Sequence, residues 1–172
     1  MRSVKLTMHV AGVSAAAAFR TLADFSRYPE QTDAVRSVTV TQSDATSTVS
    51  QWEVNFRSGI LRWTEQDTFD VDRCRIDFCQ IQGDVDTFEG SWACTDEPAG
   101  CVIEFEARLD MGIPSLADAL EPIAVRTLVE NTVVIVRGLF ATDVVVESDI
   151  PARRHPRAAR TVAPAAVAAV AR

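Results

Sequence analysis

Two carboxylates two residues apart, Glu65 and Asp67, sit in the stretch ILRWTEQDTFD, Ile60 to Asp70. With the period of a strand, Leu61, Trp63, Glu65, Asp67 and Phe69 share one side; Ile60, Arg62, Thr64, Gln66 and Thr68 take the other. One face then carries an indole, two carboxylates and a phenyl ring. Alternate strand residues lie about 7 Å apart. Buried beside Trp63 at that spacing, the carboxylates repel each other and resist desolvation, which raises at least one pKa. A carboxylate so tuned is a candidate base for removing a proton alpha to a carbonyl. The alternative is that both lie at the wet end of a sheet and serve solubility.

Trp52, Trp63 and Trp92 fall on three separate strand-like runs, each in parity with apolar neighbours. With Phe78, Phe88 and Phe105 they form either an ordinary core or a flat-walled pocket for a planar ligand. Thr127 and Asn131 lie one helical turn apart among Leu128, Val134 and Ile135. They point into a cavity or mark the edge of an apolar stripe. His9 opposes the parity of Val4, Leu6, Met8 and Val10, so it faces solvent, and no Ser–His–Asp or Cys–His set can be assembled. Asp84, Asp86 and Glu89 in GDVDTFEG lack the ligand count of a calcium loop and read as a turn. No metal site is expected. Arg57 and Arg62 flank a hairpin at Ser58–Gly59 and read as solvated. Cys74, Cys79, Cys94 and Cys101 show no CxxC spacing and read as buried reduced thiols.

The elements that must hold these residues follow from periodicity. Residues 3–10 alternate as a strand, and Ser14 caps a helix through Phe19, Leu22 and Phe25. The helix breaks before Pro29, where a second helical turn fits. Six further strands are expected over Val35–Gln42, Thr48–Phe56, Ile60–Val71, Arg75–Gln82, Thr87–Thr95 and Cys101–Asp110, with turn-rich separators short enough for antiparallel neighbours. After MGIPS the period becomes helical. A break at Pro122 is expected, giving a short helix to about Glu121 and a long one from Pro122 to Phe140. Leu116, Leu120, Ile123, Leu128, Val134, Ile135 and Leu139 are its apolar stripe. Residues 147–172 read as a disordered Ala/Arg/Pro-rich tail after a single domain over 1–146. The fold class is α+β. A curved antiparallel sheet of about seven strands wraps a long C-terminal helix and leaves a hydrophobic cavity.

Charge excludes one class of partner. The chain has 17 basic and 24 acidic side chains, net -7. Without the tail's five arginines, Glu147 and Asp149, 12 basic face 22 acidic ones, net -10. Phosphate backbones repel such a body, so nucleic acid is not an expected partner. MRSVKLTMHV has no apolar signal segment and no window reaches the length of a membrane span, so a soluble cytoplasmic protein is expected. The sequence leaves a homodimer open.

The order of elements resembles the START-like (SRPBCC, Bet v 1-like) superfamily, and within it the polyketide cyclase/dehydrase branch. The likeness is carried by YPE after the first helix, GDVDTFEGSW on the late strands and FEARLDMGIP before the terminal helix. It covers roughly Ser3 to Phe140. It implies a helix-grip fold with a deep hydrophobic pocket. It also implies aldol cyclisation and dehydration of a polyketide presented by an acyl carrier protein, with no metal or cofactor. The resemblance places a tryptophan where Trp63 stands, but an arginine that polarises a carbonyl where this chain has Asp67. Two readings stay open. One is a polyketide aromatase/cyclase with Glu65 or Asp67 as base. The other is a non-catalytic carrier of a lipid, quinone or aromatic natural product.

Overall fold

The computed structural model describes residues 1–148. Strand β1 (Arg2–Ala11) leads into helix α1 (Ala15–Leu22) and a 3-10 turn (Phe25–Glu30). Six strands follow: β2 (Val35–Ser43), β3 (Ser47–Phe56), β4 (Gly59–Asp70), β5 (Arg75–Gly83), β6 (Thr87–Glu97) and β7 (Gly100–Asp110). A 3-10 turn (Pro114–Leu116) starts the long helix α2 (Ala117–Phe140), and β8 (Val144–Ser148) ends the described chain. All strands join one antiparallel sheet in the order β2-β3-β4-β5-β6-β7-β1-β8. This is the expected helix-grip architecture, with eight strands rather than about seven. The added strand pairs Val144–Ser148 with β1. Glu147 and Ser148, assigned to the tail by sequence, therefore lie in the sheet; the rest of that tail, 149–172, lies outside the described residues.

Local chemistry accounts for the elements. In β1 every second residue, Val4, Leu6, Met8 and Val10, is buried. The Ser14 hydroxyl caps α1 by accepting from the Ala17 N–H at 3.2 Å, and Asp96 accepts from the Ala15 N–H at 2.7 Å. Both satisfy donors that a helix start leaves free, and the carboxylate also suits the positive end of the helix dipole. Tyr28, in the 3-10 turn, donates its hydroxyl to the Leu22 carbonyl at 2.8 Å and fixes the turn against α1. Gly90 on β6 has no room for a side chain. A Cβ there would run into the Glu106 carbonyl and the ring of Phe78, so the sheet closes tightly at that point.

Helix α2 departs from expectation twice. It does not break at Pro122, its sixth residue. The lost N–H would have served the carbonyl of Asp118, an exposed residue that water can reach. The helix start is instead anchored by buried Glu121, which accepts from Arg2 Nε at 3.1 Å. The buried face also differs from the expected stripe. Ala124, Thr132, Ile135, Val136 and Leu139 are buried, while Leu116, Ile123 and Val134 are exposed. At about 100° per residue these three fall on one flank, roughly a quarter turn from the line of Ala124 and Ile135. The helix packs on α1, β1, β7 and β8. It leaves a space over β3, β4 and β5, partly filled by Phe25 and Tyr28 of the first 3-10 turn, which pack on Trp52 and Phe69.

Candidate functional site

That space is a cavity between α2 and the inner face of the sheet. Its volume is ≈ 150 Å³. Every candidate catalytic or ligand-binding residue lines it: Glu65 and Asp67, Trp52 and Trp63, Phe78 and Phe88, Trp92 and Phe105, Thr127 and Asn131. The parity of β4 holds. Trp63, Glu65 and Asp67 face inward while Arg62, Gln66 and Thr68 are exposed. A register slip between Thr64 and Glu65 sets Glu65 opposite Gln80 on β5 and leaves Ile81 unpaired and exposed. Such a bulge turns the side chains beside it, here into the cavity.

The carboxylates are not at a wet end of the sheet. Glu65 is 5% exposed and Asp67 1%. Each is held by a neutral donor. Trp63 Nε1 donates to Glu65 Oε2 at 2.7 Å. Ser50 Oγ donates to Asp67 Oδ2 at 3.5 Å and accepts from Trp52 Nε1 at 2.9 Å. The register makes this possible by setting Trp52 across from Trp63 and Ser50 across from Glu65. The two indoles stack with centroids 5.7 Å apart and planes 5° off parallel. The Trp63 N–H thus serves Glu65 directly, that of Trp52 reaches Asp67 only through Ser50, and the apolar bodies of both build the wall.

Among the described residues no lysine, arginine or histidine lines the cavity. Burial, then repulsion by Asp67, pushes the Glu65 carboxyl up to about 8 against the Trp63 hydrogen bond. Burial pushes Asp67 up to about 7 against the Ser50 hydrogen bond. Both groups therefore change charge near neutrality, where a carboxyl acts as acid or base. Tyr28 lies in the same wall, and burial raises its hydroxyl well above the ordinary value, with Glu65 and Asp67 adding to the effect.

Around the pair the aromatic lining is continuous. Phe25 and Tyr28 meet Trp52 at 5.8 and 5.7 Å between centroids, and Trp63 meets Phe88 at 5.6 Å. Phe88 reaches Phe78 at 5.1 Å, Phe78 reaches Phe105 at 6.0 Å, and Phe105 reaches Trp92 at 4.5 Å.

Residues 11–132 match the family described as polyketide cyclase/dehydrase and lipid transport. The chain belongs to that family. No curated protein matches the sequence. Among solved structures, a Thermus thermophilus protein superposes with TM-score 0.74 at 21% identity, over 81% of this chain and 95% of that one. The Zhui aromatase/cyclase from a Streptomyces species gives TM-score 0.68 at 17% identity, over 81% and 92%. A STAR-related lipid transfer protein from Xanthomonas axonopodis gives TM-score 0.61 at 12% identity, over 80% and 84%. The family thus spans cyclase and lipid-transport chemistry on one fold, and fold alone does not choose between them.

Sequence reasoning missed Phe25, Tyr28, Met111 and Thr132 in the lining, and Ser50 behind it. Ser50 shares the parity of Trp52 and was legible in principle, but a small hydroxyl carries no signal without its partner. Other expectations resolve away from the cavity. His9 is on the outer face beside Glu97, at 3.1 Å. Arg62 pairs with Glu53 at 2.8 Å, and its backbone N–H is held by Asp84 at 2.7 Å. Among the described residues no group of three or more His, Cys, Asp or Glu side chains is placed to hold a metal. All four cysteines are free, but only Cys94 and Cys101 are buried; Cys74 is half-buried and Cys79 exposed, which corrects the reading of four buried thiols. No described helix is long and apolar enough to cross a membrane.

Proposed function

We propose that the cavity binds a flat, apolar ligand and that Glu65 and Asp67 act on its carbonyl groups as a general acid–base pair, promoting aldol cyclisation and dehydration of a carrier-bound polyketide or aromatic intermediate. The observation that carries this reading is a pair of buried carboxyls facing an aromatic cavity, where burial raises both above the ordinary carboxylate range. The ionised member takes a proton alpha to one carbonyl. The resulting enolate carbon bonds to a second carbonyl carbon, whose oxygen takes a proton from the undissociated member. In dehydration the carboxylate removes an alpha proton while the carboxylic acid protonates the departing hydroxyl, releasing water. An undissociated carboxyl thus stands in for the arginine that the resemblance leads one to expect at position 67. Thr127 and Asn131, on the α2 wall, supply polar contacts that orient the chain.

The test is turnover of a carrier-bound polyketide by wild type, Glu65→Gln and Asp67→Asn. Loss of general acid–base catalysis lowers the rate of ring closure roughly 100-fold or more. Unchanged rates and products in both variants remove the carboxyls from the chemistry.

The lack of any cation among the described lining residues favours a second reading, a carrier that binds such ligands without changing them. Native mass spectrometry of the purified protein separates the two. A co-purifying apolar ligand returned unmodified supports carriage, whereas turnover of the polyketide sinks it.

A further inference from the structure

Each acidic side chain in the cavity has one oxygen engaged, Glu65 Oε2 by Trp63 and Asp67 Oδ2 by Ser50. Among the described residues no hydrogen bond reaches Glu65 Oε1 or Asp67 Oδ1. Neither is sealed away: among the described residues the one enclosed side-chain atom without a partner is Gln80 Oε1. Two nine-tenths-buried carboxyls therefore each offer an unpartnered oxygen to the cavity. No described ion pair includes either of them. The contrast is Glu121, equally buried, which is matched by the guanidinium of Arg2.

Burying an unmatched carboxylate is costly, and burying two side by side costs more. Without a ligand, bound protons relieve that cost; a cation from outside the protein relieves it with both carboxyls ionised. The walls suit it. Trp52, Trp63, Tyr28 and Phe88 all line the cavity, and aromatic rings attract a cation once water is excluded.

We propose that the cavity selects ligands that carry a protonated amine on a flat apolar body, with the ammonium seated between Glu65 and Asp67 and the body against the indoles. The proposal rests on the second reading of this cavity, as a carrier, since an ammonium that ionises both carboxyls leaves neither to act as acid, and it adds the chemical class of the ligand. An ammonium favours the ionised form of both carboxyls, so binding near pH 7 expels protons. Facing the pair, β3 brings Ser50, the 3-10 turn brings Tyr28, and α2 brings Thr127, Asn131 and Thr132. Of these only Tyr28 titrates, and its raised pKa keeps it neutral throughout the window.

The experiment is isothermal titration calorimetry from pH 6 to pH 9 with 2-(naphthalen-2-yl)ethylammonium chloride and the neutral 2-(naphthalen-2-yl)ethanol. At pH 8 the amine binds at least roughly tenfold tighter, about 1.4 kcal/mol. Its affinity rises from pH 6 to pH 8.5, and heats in buffers of different ionisation enthalpy show protons released on binding. The alcohol's affinity holds level or falls. In the double variant Glu65→Gln, Asp67→Asn the preference for the amine disappears while the alcohol still binds, which also shows that the variant is folded. If that variant does not fold, proton release by the wild type decides alone. Equal affinities at pH 8 with no protons released overturn the proposal and leave the cavity reading standing. Failure of both compounds to bind overturns the two together.

Discussion

Glu65, Asp67 and Glu121 are three buried acids with different neighbours, and the difference sets how the protein answers pH. Glu121 has the Arg2 guanidinium. Glu65 and Asp67 have an indole N–H and a hydroxyl, which are too weak to offset burial, so their folded pKa values are raised to about 8 and about 7. Between the ordinary carboxylate range and those values the folded chain holds protons that the unfolded chain has lost. Stability therefore falls as pH rises through that window, at about 1.4 kcal/mol per pH unit for each extra bound proton at the limit. Scanning calorimetry is expected to show the wild-type melting temperature falling from pH 5 to pH 8.5. The Glu65→Gln, Asp67→Asn variant flattens the profile and is the more stable at pH 8, by on the order of 1 kcal/mol. Self-repulsion of the acidic body also weakens the fold at high pH, but both proteins share it. Parallel profiles would show that the pair titrates as it does in the unfolded chain.

Elements were legible where one physical rule decided them. Strands with one wet face alternate, and β1 through β7 appear close to the expected limits. β8 was missed because VVVES has no alternation and follows a helix that hides its partner, β1. The buried face of α2 was misread because apolar residues surround it, so no single stripe stands out. In β4 parity revealed which side chains share a face. It did not reveal their depth, which depends on the bulge at Glu65 and on where α2 lies overhead. The end of α2 carries its own prediction. Ala141 closes the helix with φ 47°, its N–H donating to the Arg137 carbonyl at 3.3 Å. A left-handed conformation costs a residue with a Cβ roughly 1–2 kcal/mol, while glycine gives back part of that through its freer unfolded chain. Ala141→Gly is expected to stabilise the protein by about 0.5–1 kcal/mol, read from denaturant unfolding at unchanged slope. A loss of stability would mean that β8, which starts three residues later, depends on the strained turn.

For the whole molecule, the cavity exists because α2 grips one end of an eight-stranded sheet and leaves a space over the inner faces of β3, β4 and β5. Those faces carry indoles and carboxyls where a solid core would carry aliphatic side chains. The fold thus forgoes packing that its own sequence could supply, and ligand capacity and stability oppose one another. Asn131 tests this opposition. It lines the cavity from α2, is half-buried, and its amide takes part in no side-chain hydrogen bond among the described residues. Asn131→Leu replaces a polar group with apolar volume facing Trp- and Phe-lined space, and favours the helix as well. The expected gain is about 1 kcal/mol, a rise of roughly 2–4 °C in melting temperature for a chain of this size. The same methyl groups occupy ligand space, so affinity for 2-(naphthalen-2-yl)ethanol falls roughly tenfold, about 1.4 kcal/mol. The two measurements must move in opposite directions. A variant that melts lower and binds as before would show that the cavity is already filled by the relaxed side chains of its walls, and that Asn131 is there for the helix rather than for a ligand.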